Sequence, residues 1–271
     1  MFDKDFDTRA DEKLIAEALE GNKASLNLLL KRHQDYIYNI SLRLFLNPDD
    51  ALDATQEVLI KVVTRLKTFK GKSQFRTWLY RITTNHFLNA PQRKFEKMFS
   101  NRIDSEEFPD TVETDNPYDQ ETIEEVRMAC STGMLMCLNR EQRLIYIIGD
   151  VFGADHRLGA ELFNISPANF RVKLYRAKSD LLNYVSKKCG LVDANNPCRC
   201  NKKAKIMVEK GYVDPNKFRF NIDFKQKVDQ IVSSDIHKVS DHIQLNMSEL
   251  FQDSPFQVKQ ELDALLGDLV K

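Results

Sequence analysis

Apolar positions recur every three or four residues along most of this chain, the period of helices packed by one face. Leu14, Ile15, Ala18 and Leu19 form the first stripe, behind a Thr8-x-x-Asp11 segment with the form of a capping box. Gly21-Asn22 reads as its stop. A second helix is predicted from about residue 23 to 46, with Leu26, Leu29, Leu30, Ile37, Ile40 and Leu44 inward. Asn47-Pro48 places a capping side chain and a proline at the start of the next. That helix carries Val58, Leu59, Val62, Val63, Leu66 and Phe69 and is predicted to end at Gly71. Ser73 is the expected cap of a fourth, with Phe75, Trp78, Leu79, Ile82 and Phe87 inward and a break near Pro91. Residues 95–125 have no apolar period and contain Pro109 and Pro117, so they read as a linker. Helices are predicted again over residues 126–138, 140–151, 156–163 and 166–184. Weaker patterns fill 212–271, where Ser254-Pro255 leads into Leu262, Leu265, Leu266 and Leu269. No strand-like alternation and no internal repeat is evident, so the expected class is all-α.

Composition narrows the picture further. The apolar share of 42% over 271 residues is enough for real cores. Only nine Gly and eight Pro disfavour turn-rich all-β folds. No apolar run is long enough to span a membrane, and the polar N-terminus has no signal-peptide core. Five cysteines without a secretory signal point to a reducing, cytoplasmic setting rather than a disulfide framework.

The charge balance, 40 basic against 40 acidic residues, conceals a sharp sorting. Residues 58–94 hold nine basic side chains and no acid, 95–127 hold three against eleven acids, and 162–188 hold six against one. Two basic blocks separated by an acidic one fit two nucleic-acid-facing surfaces; solvated helix faces would also carry such runs.

The second block contains a helix-turn-helix candidate, residues 160–177. Asn164 suits the left-handed turn, Ser166 the cap and Pro167 the first helical position. Ile165, Phe170, Leu174 and Ala177 are expected inward, leaving Ala168, Asn169, Arg171, Lys173 and Arg176 outward. Arg and Asn match guanine and adenine edges in the major groove, and Lys supplies phosphate contacts. The first block, residues 69–81, interleaves aromatics with cations, a composition suited to single-stranded or melting DNA. Phe75, Trp78 and Tyr80 also stand at core spacing.

Three segments together resemble the sigma-70 family of bacterial RNA polymerase specificity subunits, of the short extracytoplasmic-function (ECF) type. Residues 50–58 (DALDATQEV) are similar to the family's Asp-Ala-Glu-Asp-Leu-Thr-Gln-Glu-Val, which docks on the polymerase clamp. Residues 75–82 (FRTWLYRI) match its hallmark in the promoter-melting region. Residues 173–178 (KLYRAK) resemble the Arg-Leu-His-Arg-Ala-Arg of its helix-turn-helix. The resemblance implies a region 2 type domain over residues 1–94, an acidic linker over 95–125, a region 4 type domain over 126–188, and a Cys-containing helical extension over 189–271.

It implies a polymerase-binding surface of Asp49, Asp50, Asp53, Gln56, Glu57 and Lys61. It implies −10 recognition and melting by Lys70, Lys72, Ser73, Phe75, Arg76, Trp78, Tyr80, Arg81, Asn85, His86 and Asn89. Ser166, Ala168, Asn169, Arg171, Lys173 and Arg176 are the implied −35 readers. The implied partners are core RNA polymerase, promoter DNA and an anti-sigma or other regulatory protein. A conventional helix-turn-helix regulator and a degenerate polymerase-binding homologue are the alternatives.

No catalytic arrangement of Ser, His and Asp, no phosphate loop and no paired metal-binding histidines occur, so no enzymatic activity and no cofactor are expected. Cys189, Cys198 and Cys200 form a weak zinc candidate because C-x-C departs from the usual ligand spacing. Redox sensing by a Cys198/Cys200 pair and plain thiols in a turn are the other readings.

Overall fold

The computed structural model describes residues 8–93, 96–97, 117–193 and 195–233. Among these residues lie ten α-helices and no strand. They are α1 (Thr8–Leu19), α2 (Lys23–Phe45), α3 (Pro48–Arg65), α4 (Phe75–Asn89), α5 (Gln120–Gly133), α6 (Arg140–Tyr146), α7 (His156–Phe163), α8 (Pro167–Lys188), α9 (Cys200–Glu209) and α10 (Ile222–Ser233). The class is all-α. Most of the acidic stretch and the leucine pattern near the C-terminus lie outside the described residues.

The chain forms two compact units. Among the described residues, the first contains 8–91 together with 152–167; the second contains 92–93, 96–97, 117–151, 168–193 and 195–233.

In the first unit, α2 packs on α1, α3 and α4. Leu29, Leu30, Ile37, Val58, Leu59, Val62 and Leu79 form its fully buried centre. Asn22 starts α2 by accepting from Ala24 N and Ser25 N, so it begins the second helix as well as ending the first. Asn47 caps α3, with Pro48 at the first position, as its sequence predicts. Leu46, between them, is left-handed (φ 53°) and buried. Burial of its side chain offsets a backbone cost of about 1–2 kcal/mol.

Three local readings change. Asp11, read from sequence as part of a capping box, directs its carboxylate to His33 Nε2 (2.9 Å) and Arg32 Nε (3.1 Å) on α2. Helix α3 ends at Arg65 in a 3₁₀ turn, Leu66–Thr68, ahead of Gly71. Gln74, rather than Ser73, precedes α4, with no side-chain cap. At its other end Ala90 is extended (ψ 147°), as the following Pro91 requires.

In the second unit, α9 and α10 pack on α5, which begins at Gln120, inside the stretch read as linker. Asp119 caps it. A capping box of Asn139 and Gln142 starts α6, which widens into a π-helical segment, Ile147–Val151. Glu96 is also part of this unit. It is buried, receives both Arg140 Nε (2.8 Å) and Nη2 (2.6 Å), and accepts from Arg143 Nη2 (3.0 Å). Burial alone would raise its pKa, but the two guanidinium groups hold it below the usual carboxylate value.

Candidate nucleic-acid and polymerase interfaces

Helix α3 divides its residues between two faces. Ala51, Ala54, Thr55, Val58 and Leu59 are buried, with the Thr55 hydroxyl donating to Ala51 O (2.7 Å). Asp49, Asp53, Gln56 and Glu57 are exposed along the opposite side, and Asp50 is half-buried. Ile60 continues that face and is 43% exposed, an apolar residue that charge-based reading passes over. Asp49 and Asp50 also sit in the first turn, where the helix dipole favours acids. Lys61 turns away from this face: its Nζ lies 2.7 Å from His86 Nδ1, and Glu57 Oε2 lies 3.7 Å from the same nitrogen. One residue expected to touch polymerase and one expected to touch DNA are thus brought together.

Helix α4 separates the aromatic–basic block into core and surface. Phe75 and Tyr80 are buried. Phe75 meets His33 edge-on (5.2 Å) and stacks on Trp78 (5.4 Å). Burial pushes the Tyr80 phenol well above its usual pKa. These two rings, like the His86 imidazole, are packing groups and are not presented for base stacking. Trp78 is half-buried between Phe75 and Phe69. Arg76 is half-buried with its guanidinium 5.0 Å from the Tyr36 ring centre. Arg81 Nη2 donates to Glu161 O (3.0 Å) and Oε1 (3.1 Å) on α7. Lys70, Lys72, Asn85 and Asn89 are exposed, Ser73 is half-buried, and Leu88 joins the outer strip at 41% exposure.

Asp155 starts α7 by accepting from Arg157 N and Leu158 N (2.8 Å each), and these bonds lower its pKa. Asn164 ends the helix in the left-handed conformation (φ 53°), the geometry its side chain tolerates.

In the second unit, α8 buries Phe170, Ala177, Leu181 and Val185. Its flank is tied down by Lys173 to Glu141 (2.7 Å), Lys178 to Asp150 (2.6 Å) and Gln142 to Asp180 (2.6 Å). Lys173 is therefore engaged inside its own unit. Gly149 is what lets α8 approach: a Cβ there would stand 2.6 Å from Leu174 Cδ2 and 3.2 Å from Phe170 Cζ. The exposed positions are Ser166, Ala168, Asn169, Arg171 and Arg176, joined by Val172 (47%) and Tyr175 (72%). Residues 168, 171, 172, 175 and 176 follow the three–four spacing of one helix face. Val172 and Tyr175 were legible only as apolar residues at helical spacing, which normally signals core.

A family model described as Sigma-70 region 2 matches residues 29–94, the stretch from α2 through α4. A 164-residue segment is 29% identical to the "ECF RNA polymerase sigma factor SigE" of Mycolicibacterium smegmatis, covering 59% of this chain and 61% of that protein. A 181-residue segment is 26% identical to the "ECF RNA polymerase sigma-E factor" of Escherichia coli K12, covering 65% of this chain and 94% of that protein. Residues 29–94 thus match a sigma-70 region 2 domain, and the chain is similar to ECF RNA polymerase sigma factors. A further similar protein, the "ECF RNA polymerase sigma-E factor" of Haemophilus influenzae, is 34% identical over 87 residues, 31% of this chain and 46% of that one. A solved structure, CnrH in complex with the cytosolic domain of CnrY, aligns with 69% of this chain and 99% of that chain at 19% identity and a TM-score of 0.47.

Among the described residues, no group of three or more His, Cys, Asp and Glu is arranged to hold a metal ion. No described helix is long and apolar enough to cross a membrane.

Proposed function

We propose that this chain is a non-enzymatic, cytoplasmic RNA polymerase sigma factor that binds core polymerase and directs initiation at specific promoters. The observation that carries the proposal is the division of labour within α3: the motif's apolar half builds the core, while Asp49, Asp53, Gln56 and Glu57 stand outward beside exposed Ile60. An acidic strip with an apolar anchor suits a basic protein surface and repels DNA phosphate. Core RNA polymerase is its partner in this reading.

The exposed cations Lys67, Lys70 and Lys72 and the Asn85, Leu88 and Asn89 strip of α4 hold and read the opened −10 strand. Arg76, Arg81 and Trp78 are half-buried and act at its border. The exposed face of α8 reads the −35 duplex, with Arg171, Arg176 and Asn169 at base edges and Ser166 and Ala168 at the helix start. A regulatory protein of the anti-sigma kind is the third expected partner.

Run-off transcription with core polymerase of the source bacterium tests this, on a pool of its upstream DNA fragments. Specific transcripts that require the added protein are the expected result. Tight duplex binding without any binding to core polymerase would instead establish a conventional regulator. Co-purification with core enzyme but no transcript would establish a degenerate homologue.

A further inference from the structure

We propose that Cys189 and Cys198 are a reversible dithiol/disulfide pair that ties the end of α8 to the beginning of the C-terminal extension. The two residues form an isolated parallel β-bridge. Paired backbones of this kind run about 4.8 Å apart and direct paired side chains to the same side. That spacing falls inside the roughly 4.4–6.8 Å Cα separation that a disulfide spans. None of the five cysteines is disulfide-bonded in this structure, and all are partly accessible.

The pairing is built by its surroundings. Val192 N and Asp193 N donate to Cys189 O (3.1 Å each), closing the turn after α8. Asn196 Nδ2 donates to Ser186 O (2.8 Å) and Cys189 O (3.0 Å). Arg199 Nη1 donates to Cys198 O (2.9 Å) and to Asn196 O. A Cβ at Gly190 would collide with the Cys198 carbonyl and the Arg199 guanidinium, so a glycine is required for the two segments to come this close.

Cys130 on α5 and Cys200 at the start of α9 stand close enough to feel the charges of both paired thiols. Burial, and then this mutual repulsion, raises the Cys130 pKa well above normal and that of Cys200 to about 12. Burial also raises Cys189. Cys137 lies elsewhere, beside Arg143 and Asp180. Cys130, Cys189 and Cys200 are therefore resting thiols at neutral pH, whose oxidation accelerates as pH rises. Within the cluster, only Cys189 and Cys198 are joined by backbone pairing.

Hydrogen peroxide is a sufficient oxidant. The sulfur of one cysteine attacks a peroxide oxygen, the O–O bond breaks, and a sulfenic acid and one water form. The second thiol attacks that sulfur; the S–S bond forms, the S–O bond breaks, and the second water leaves with the remaining proton. Two thiols and one peroxide thus give one disulfide and two waters, and a dithiol reductant reverses the change by exchange.

The inference is independent of whether α8 reads DNA. The test treats the full chain with a small excess of peroxide at pH 8, alkylates remaining thiols, and maps cross-linked peptides by mass spectrometry. The expected product links Cys189 to Cys198, is reversed by dithiothreitol, forms faster at pH 9 than at pH 7, and is unaffected in Cys137→Ser. Closing a ten-residue ring should raise the thermal midpoint of the oxidised wild-type chain over the reduced one by roughly 5 °C or more. Cys189→Ser and Cys198→Ser should each abolish that difference. The wild-type comparison stands even if a variant fails to fold. A Cys198–Cys200 or Cys130–Cys200 link, overoxidation without a link, or purified protein carrying one zinc per chain on these thiols would overturn the proposal.

Discussion

Glu96 offers the sharpest test of how the second unit is held together. Its carboxylate sits with 4% side-chain exposure between Arg140 (16%) and Arg143 (1%). Replacing it with alanine removes the carboxylate that faces a guanidinium that has lost its water. Breaking one partner of such a pair costs about 3–5 kcal/mol, against a total stability of about 5–15 kcal/mol for a whole domain. Arg140, less buried, can recover some hydration, so most of the loss falls on Arg143. The cost is a penalty of orphaning, not the net value of the bridge: an apolar pair of similar volume can be as stable. Glu96→Leu/Arg143→Met should therefore recover much of what Glu96→Ala loses. Urea unfolding followed by circular dichroism, with the slope checked for constancy, gives each value. The reasoning fails if Glu96→Ala loses less than about 1 kcal/mol. It fails equally if Arg143→Met costs as much without Glu96 as with it, since the pair would then be uncoupled.

Other expectations follow from the same geometry. The pKa values of Glu96 and Asp11 are held below their ordinary values in the folded chain, so their stabilising contribution is complete above the normal carboxylate range and is lost as pH falls below it. Glu96→Gln should accordingly flatten the acid limb of the stability–pH curve measured by urea titration, and an unchanged limb would contradict this. Glu125, buried, accepts from Phe220 N (3.3 Å) and from Arg219 N, and its other oxygen is ion-paired with Lys225 Nζ (3.4 Å). Glu125→Ala should cost about 2–4 kcal/mol and release protection of residues 219–228 in hydrogen exchange, whereas Glu125→Gln keeps an acceptor and should cost less. Gly149→Ala should cost about 1 kcal/mol and Gly149→Val more, because Leu174 must move before a side chain fits; equal stability for all three would refute the close approach. Arg171→Ala should weaken binding to a −35 duplex by about 1–3 kcal/mol in a fluorescence titration, and Lys173→Ala by less, because Lys173 is already paired with Glu141.

Local signals were readable along the chain because short-range rules govern them. The three–four periodicity placed the helices, and Asn47-Pro48 started α3 where capping chemistry puts it. Asn164 supplied the left-handed turn, and Pro91 set the end of α4. The motif residues carried the family resemblance, since Thr55 and Gln56 must alternate between core and surface on one helix. Partners distant in sequence decided the rest. Phe75 and Tyr80 look identical in sequence to stacking rings, and only the rings and helices packed over them make them core. Glu96 reads as one acid among eleven until Arg140 and Arg143, more than forty residues away, enclose it. Lys173 reads as an outward cation until Glu141 claims it, while the aromatic Tyr175 stands 72% exposed. Periodicity fixes which residues share a face; whether that face meets protein, water or a partner depends on what the rest of the chain brings against it, and that is a property of the tertiary structure alone.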